Sequence, residues 1–201
     1  MPISINGNGT ITGLSAGGLP SGSVTSSTLA DGAATGSKLG SGSIIQTQSF
    51  LYTATTTQFS GQNWHASPIT KQITPTSASN KILVMATLCA GNEAVGEGAA
   101  FKIMRSINGG SYAESDALGD AAGSANRGAV GGLYDDNLAT HTDCRSTQFI
   151  DNPGTALAID YKMYVFVFDS TKPILINRPY TTSALEHITG TSSLILMEIA
   201  A

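Results

Sequence analysis

"ALAIDYKMYVFVF", residues 156–168, decides the fold. Its odd positions Leu157, Ile159, Tyr161, Met163, Val165 and Val167 are apolar or aromatic, while Asp160 and Lys162 interrupt the even ones. Side chains of a strand point alternately to opposite faces, so this period of two gives one buried face and one partly wet one. Asn152-Pro153-Gly154 just ahead is a turn. Working outward, "SFLYTATTTQF" (49–59), "KILVMATLCA" (81–90), "AFKIMRSINGGSYAES" (100–115), "PILINRPY" (173–180) and "SLILMEIA" (193–200) are rich in β-branched and aromatic residues. Asn108-Gly109-Gly110 joins two such runs as a hairpin. No segment carries a convincing helix period. Short strands separated by turns predict an all-β fold: an antiparallel β-sandwich, or jelly-roll-like, head over residues 44–201.

One stretch breaks the strand rhythm. "GDAAGSANRGAVGGLYDDNLATHTD" (119–143) is small-residue rich with scattered aspartates, and reads as a long surface loop, where binding residues tend to sit. Arg127, Tyr134, Asp135 and Asp136 are its candidate surface-binding residues.

Residues 1–43 are of another kind. Aligned on leucine, they contain "LPSGSVTSST", "LADGAATGSK" and "LGSGSI", in which Leu19, Leu29 and Leu39 recur, followed by Val24, Ala34 and Ile44. One Leu and one smaller apolar residue per unit cannot offset the roughly 1–2 kcal/mol per residue that ordering a backbone costs. Units that cannot bury their apolar face alone become stable by association with other chains or a surface. A flexible Gly/Ser linker shares this composition but has no need of leucines in phase. The reading is therefore an extended Gly/Ser-rich N-terminal arm or trimeric shaft, with Leu19, Leu29, Leu39, Val24 and Ile44 as trimer or attachment contacts. Ahead of it, "ISINGNGTITGL" (3–14) has the pattern of a short hairpin or edge strand.

Composition removes several function classes. Charged residues make up 12% of the chain, the formal net charge is −4, and no basic run appears, so nucleic acid is not an expected partner. The apolar runs are too short to span a bilayer as helices, and the N-terminus lacks the pattern of a secretory signal, so neither membrane insertion nor export by that route is expected. Cys89 and Cys144 can pair, but Cys89 sits in an apolar run where a lone Cys acts as a small hydrophobe, and nothing points to an oxidising compartment; the expectation is two free thiols.

Chemistry finds little foothold. His65, His141 and His187 are isolated, and "HTDC" (141–144) is the one candidate ligand cluster, of a kind that arises by chance. Asp135 and Asp136, with Glu114, Asp116 and Asp120 upstream, supply carboxylates of the type a glycosidase uses, yet adjacent aspartates in a Gly-rich loop are ordinarily a solvated tip. No nucleophile elbow, zinc-protease or phosphate-loop motif occurs. The expectation is no enzyme, no cofactor and no metal. Trp64, in "GQNWHASP", reads as a core anchor, with a sugar-stacking surface as the alternative.

With these residues in view, "INGNGTITGL", "SVTSSTLADGAATGSKLGSGSI", "QITPTSASNKILVMATL", "IDYKMYVFV" and "SSLILMEIAA" together resemble short virion proteins of tailed bacteriophages, notably phages of aquatic bacteria, described as tail-fibre or particle-surface proteins. The resemblance covers nearly the whole chain and is structural and compositional. It implies a homotrimer located in the virion and assembled in the host cytoplasm. Its N-terminal arm would attach to capsid or tail proteins, and its β-rich head would be free to touch host-surface polysaccharide. A capsid decoration protein or head fibre suits the short arm, which spans at most about 150 Å. A short tail fibre is the alternative, and a polysaccharide depolymerase or a free carbohydrate-binding module stands further off.

Overall fold

The computed structural model describes residues 39–55, 57–92, 100–131, 140–183 and 188–201, together with the strand residues 4–5 and 11–12. The chain divides into two compact units, Met1–Lys38 and Leu39–Ala201. In the first, β1 (Ser4–Ile5) and β2 (Ile11–Thr12) pair antiparallel with Ile5 opposite Ile11, so the N-terminal hairpin pattern is borne out. Leu19, Val24 and Leu29 lie outside the described residues.

The second unit contains β3 (Ile44–Tyr52), β4 (Gln58–Phe59), β5 (Trp64–Ile73), β6 (Lys81–Asn92), β7 (Ala100–Ile107), β8 (Ala113–Glu114), β9 (Asp143–Asp151), β10 (Ile159–Phe166), β11 (Ile174–Ile176) and β12 (Ser192–Ile199). No described residue is helical, and no helix among them is long and apolar enough to cross a membrane. One sheet runs β3-β12-β6, with β9 along most of the far side of β6 and β11-β4 continuing beyond it; the other runs β5-β10-β7-β8. Every pairing is antiparallel. Leaving aside the short β4 and β11, the orders β3-β12-β6-β9 and β5-β10-β7-β8 send the chain back and forth between two four-stranded layers, which is jelly-roll topology. The all-β sandwich expected from the sequence is the fold.

The core lies between the layers. Ile82, Val84, Ala86 and Leu88 of β6 and Leu194 and Leu196 of β12 meet Ile159, Tyr161, Met163 and Val165 of β10, Phe101 and Ile103 of β7, and Ile69 of β5. Each large side chain so buried contributes on the order of 1.5–3 kcal/mol. The alternation read in β10 holds in burial from Ile159 to Val165, after which both Phe166 and Val167 are buried. Leu157, assigned to the same face, precedes the strand and is 52% exposed.

Two buried carboxylates brace this core differently. Asp151, at the end of β9, is fully buried; it accepts a hydrogen bond from the Tyr161 hydroxyl at 2.5 Å and one from the Asp116 N–H at 3.1 Å, and it is paired with the Arg105 guanidinium. It therefore ties one sheet to β7 and β10 of the other. Burial, reinforced by the Asp151 carboxylate, pushes the Tyr161 hydroxyl far above the usual phenol range. Burial alone would lower the Arg105 pKa, and Asp151, with smaller help from Asp116 and Tyr161, more than offsets it. Glu198 of β12 is also fully buried but has neutral partners: Asn80 Nδ2 at 2.6 Å, the Thr76 N–H at 2.7 Å and Gln46 Nε2 at 2.7 Å donate to it. Burial works against its ionisation, yet these donors hold its carboxyl below the ordinary glutamate value.

Several expectations are corrected. The run 49–59 is not one strand, because it turns after Tyr52 and resumes only at Gln58. Only Ile174–Ile176 of 173–180 is strand. β5 carries Pro68, which argues against a strand in sequence, but β5 is the edge of its sheet and its register with β10 shifts opposite Lys162 and Tyr164, where a missing N–H is tolerated. β9 is half polar, and its first residue belongs to the stretch read as loop. Its register with β6 sets Cys89 directly opposite Cys144, and the two form a disulfide, against the expectation of free thiols. Gly190 covers the bond so closely that a Cβ there would lie 2.8 Å from Cys89 Cβ. The Asn108-Gly109 hairpin is present as read, with both residues at positive φ and Gly110 N–H bonded to Ile107 O at 3.0 Å.

Candidate functional site

The outward positions of β10 are Asp160, Lys162, Tyr164 and Phe166, and strand pairing fixes their neighbours. Asp160 lies between Gln72 and Ser106, Lys162 between Thr70 and Met104, Tyr164 between Ala66 and Lys102, and Phe166 between Trp64 and Ala100. The outer face of the β5-β10-β7-β8 sheet is thus a band of aromatic rings with charged and amide groups interleaved.

The rings contact one another in series. Trp64 packs tilted on Phe166 at 5.1 Å between centroids, and Phe168 meets Phe166 edge-on at 5.0 Å. Further along, Tyr112 packs on Tyr164 at 6.1 Å. Cations sit over two of them, Lys102 Nζ 4.6 Å from the Trp64 centroid and Lys162 Nζ 4.8 Å from that of Tyr112. Such contacts contribute about 0.5–2 kcal/mol each and fix the orientation of the ring. At the far end Gln72 Nε2 donates to both Asp160 oxygens at 3.3 Å.

The segment after β8 folds over one edge of this band. Ser115 donates to Ile103 O at 2.6 Å, and Phe101 and Val130 form an isolated bridge, so the loop leaves β7 and returns to it. Lys102, buried beneath it, pairs with Glu114 at 3.5 Å; Arg127 reaches the other oxygen of Glu114 at 3.3 Å and donates to Gly119 O at 2.8 Å. Arg127 therefore braces the loop. The irregular course expected for 119–143 holds for its described part, with the strand beginning at Asp143. Tyr134, Asp135 and Asp136 lie outside the described residues.

The other sequence candidates fall apart in space. Trp64 is a half-buried member of the outer band and is not a core anchor. In "HTDC", Cys144 is bonded to Cys89 and Asp143 pairs with Arg145, so those two ligands are engaged elsewhere. Among the described residues no group of three or more His, Cys, Asp and Glu is placed to hold a metal ion. Glu114 faces Lys102 and Arg127, whereas Asp116 faces Arg105 and accepts from the Asn152 N–H at 3.0 Å, so these carboxyls serve structural pairings. Leu39 and Ile44, at 38% and 54% exposure, keep their apolar surface uncovered within this unit. Sequence reading noticed Asp160, Lys162 and Trp64 separately. It missed Gln72, Lys102, Tyr112 and Tyr164, which join them only through strand order.

A band of this kind suits a weakly polar, hydroxyl-rich ligand. Aromatic faces accept the C–H faces of sugar rings, and neighbouring carboxylate and amide groups hydrogen-bond hydroxyls.

No protein-family model matches the chain, and no curated protein does. Among solved structures it is similar to a chain in the structure of infectious bursal disease virus Gx strain, at 10% identity and a TM-score of 0.36. The match covers 79% of this chain and 39% of that one.

Proposed function

We propose that this protein is a structural and adhesive component of a bacteriophage virion. It is a homotrimer whose residues 1–43 anchor on other virion proteins and whose jelly-roll head projects from the particle. The head adheres to host-surface glycan through the aromatic band of Trp64, Tyr112 and Tyr164. The role is binding and structural, with no catalytic step and no cofactor. The observation that carries the reading is the ten-residue phase of Leu19, Leu29 and Leu39, in a segment too poor in apolar surface to hold itself, leading into a closed sandwich. Changing those three leucines to Ser is expected to abolish particle attachment while the head still folds; particles that keep the variant at full occupancy would sink the anchoring role.

A second reading, a short tail fibre acting as the receptor-binding protein, draws on the aromatic band. Image reconstruction of the particle separates the two, because threefold density stands on the capsid in one case and on the tail in the other. Adhesion is tested by titrating host envelope polysaccharide into the protein, with Tyr164→Ala expected to weaken binding about tenfold; saturable binding that Tyr164→Ala leaves unchanged would remove the band from the account.

A further inference from the structure

We infer that the outer face of the β3-β12-β6-β9 sheet is the surface through which copies of this chain pack on one another. The inference deepens the homotrimeric reading above and rests on it. The register places Met197, Leu83 and Ile150 side by side in one row across the sheet and Ile195 and Met85 in the next. These side chains are half-buried by their neighbours or exposed, and none is fully covered by the described residues.

Three observations point to a second copy as the occupant. The first is the hydrophobic pattern. A strand with one wet face alternates, as the start of β10 does, whereas "ILVMA" (82–86) in β6 and "LILM" (194–197) in β12 are continuous apolar runs, the pattern of strands buried on both faces. A single head buries only one of those faces.

The second is charge. No outward position is charged from Thr47 to Leu51 on β3, Ser193 to Ile199 on β12, Leu83 to Thr87 on β6 or Ser146 to Ile150 on β9; Lys81 stands at the end of the patch. Three copies of such a surface can converge on a threefold axis without burying an unpaired charge.

The third is extent. Four strands about 4.8 Å apart, five residues long on three of them and seven on β12 at about 3.3 Å each, project about 350 Å². This flat projection is a lower bound on the accessible area, because side chains stand off the sheet, and it is set against the roughly 500 Å² per partner at which a specific interface begins. The patch is also held in shape, because the Cys89–Cys144 bond lies one row beyond Thr87 and Ser146 and pins β6 to β9. The chain enters this sheet through β3, immediately after the leucine repeat, so chains gathered by their arms arrive with this sheet foremost in sequence.

The test is sedimentation equilibrium of the full chain at about 1–50 μM, combined with the rate of peroxide oxidation of Met85 and Met197, with fully buried Met163 as internal reference. The expected result is a trimer in which Met85 and Met197 oxidise at least tenfold more slowly than in diluted monomer, and a monomer for Leu83→Lys/Met197→Lys with unchanged far-UV circular dichroism. Should the Lys pair fail to fold, Ile195→Thr/Met197→Thr keeps strand propensity and is expected to weaken association by at least tenfold. A wild-type trimer whose two methionines oxidise freely, and which survives both variants, overturns the inference and leaves the homotrimeric reading standing. A wild-type monomer overturns both. If that monomer has protected methionines, its own arm covers the face; if they are free, the patch stays exposed to solvent or serves another virion protein.

Discussion

The two outer faces of this sandwich belong to one jelly roll and have opposite characters. On one, β10 presents Asp160, Lys162, Tyr164 and Phe166, with cations set over rings and an amide against a carboxylate. On the other, β12 presents Ser193, Ile195, Met197 and Ile199, with Leu83, Met85 and Ile150 beside them and no charge among them. The fold treats both strands alike, since each is central in its layer and turns alternate side chains into the space between the sheets. The difference lies entirely in the outward residues, which folding leaves free to vary. It is on those residues that function is written.

The largest expected effect tests whether the two faces belong to one rigid body. Asp151 joins the layers through Arg105 and Tyr161. Asp151→Asn leaves a largely buried guanidinium without its main counter-charge, a loss of about 3–5 kcal/mol in such settings. Asp116 remains 3.6 Å from Arg105, so the lower end of that range is expected. Urea unfolding measures it, and a change below about 1 kcal/mol would show that the layers hold together without this clamp.

Next in size is a reciprocal exchange between the faces. Ile195→Lys places an unpaired charge in the proposed contact and is expected to weaken self-association more than 100-fold, or about 3 kcal/mol, while glycan binding per head persists. Tyr164→Lys is expected to do the reverse, removing glycan binding and leaving sedimentation unaltered. If either substitution affected both properties equally, the division of labour between the faces would be wrong.

How much of this was legible in the sequence follows the same division. The β10 alternation announced its own inner and outer positions, and β6 and β12 were visible as apolar runs, so the core and fold class could be read directly. β5 was hidden by Pro68, whose missing N–H matters little at a bulged edge, a location that no local pattern reveals. β9 was hidden because "DCRSTQFID" offers few apolar residues to a strand that is itself a sheet edge along most of its length. With β9 unseen, nothing set Cys144 opposite Cys89. The aromatic band was recorded as separate residues, since Trp64, Lys102, Tyr112 and Tyr164 lie on or beside four strands and meet only through the order β5-β10-β7-β8.

A smaller effect separates the members of that band. Trp64 is the largest ring and carries Lys102 above it, but it is half-buried under the 115–131 loop. Trp64→Ala is therefore expected to reduce glycan affinity about tenfold, or about 1.4 kcal/mol, through loss of stacking. Isothermal titration with host polysaccharide gives the number. Arg127→Ala, which touches no ring and only braces the loop through Glu114 and Gly119, is expected to change affinity by about threefold or less.

The smallest effect is one of pH, and it belongs to the apolar face. Glu198 sits between outward Met197 and Ile199, and its inward carboxylate gathers Gln46 of β3 with Thr76 and Asn80 of the β5-β6 turn. Folding holds this group below its ordinary value of 4.5, so the folded chain binds its proton less readily than the unfolded chain does. The stability it supplies is therefore complete above pH 4.5 and is lost as pH falls from there through the lower folded value. Thermal unfolding between pH 7 and pH 3 should show this loss in the wild type. Glu198→Gln should start from a lower Tm at pH 7, because an amide turns a donor toward donors, and should respond less to acid. An acid response identical in the two proteins would assign it to other carboxylates and leave the end of β12 held by packing alone.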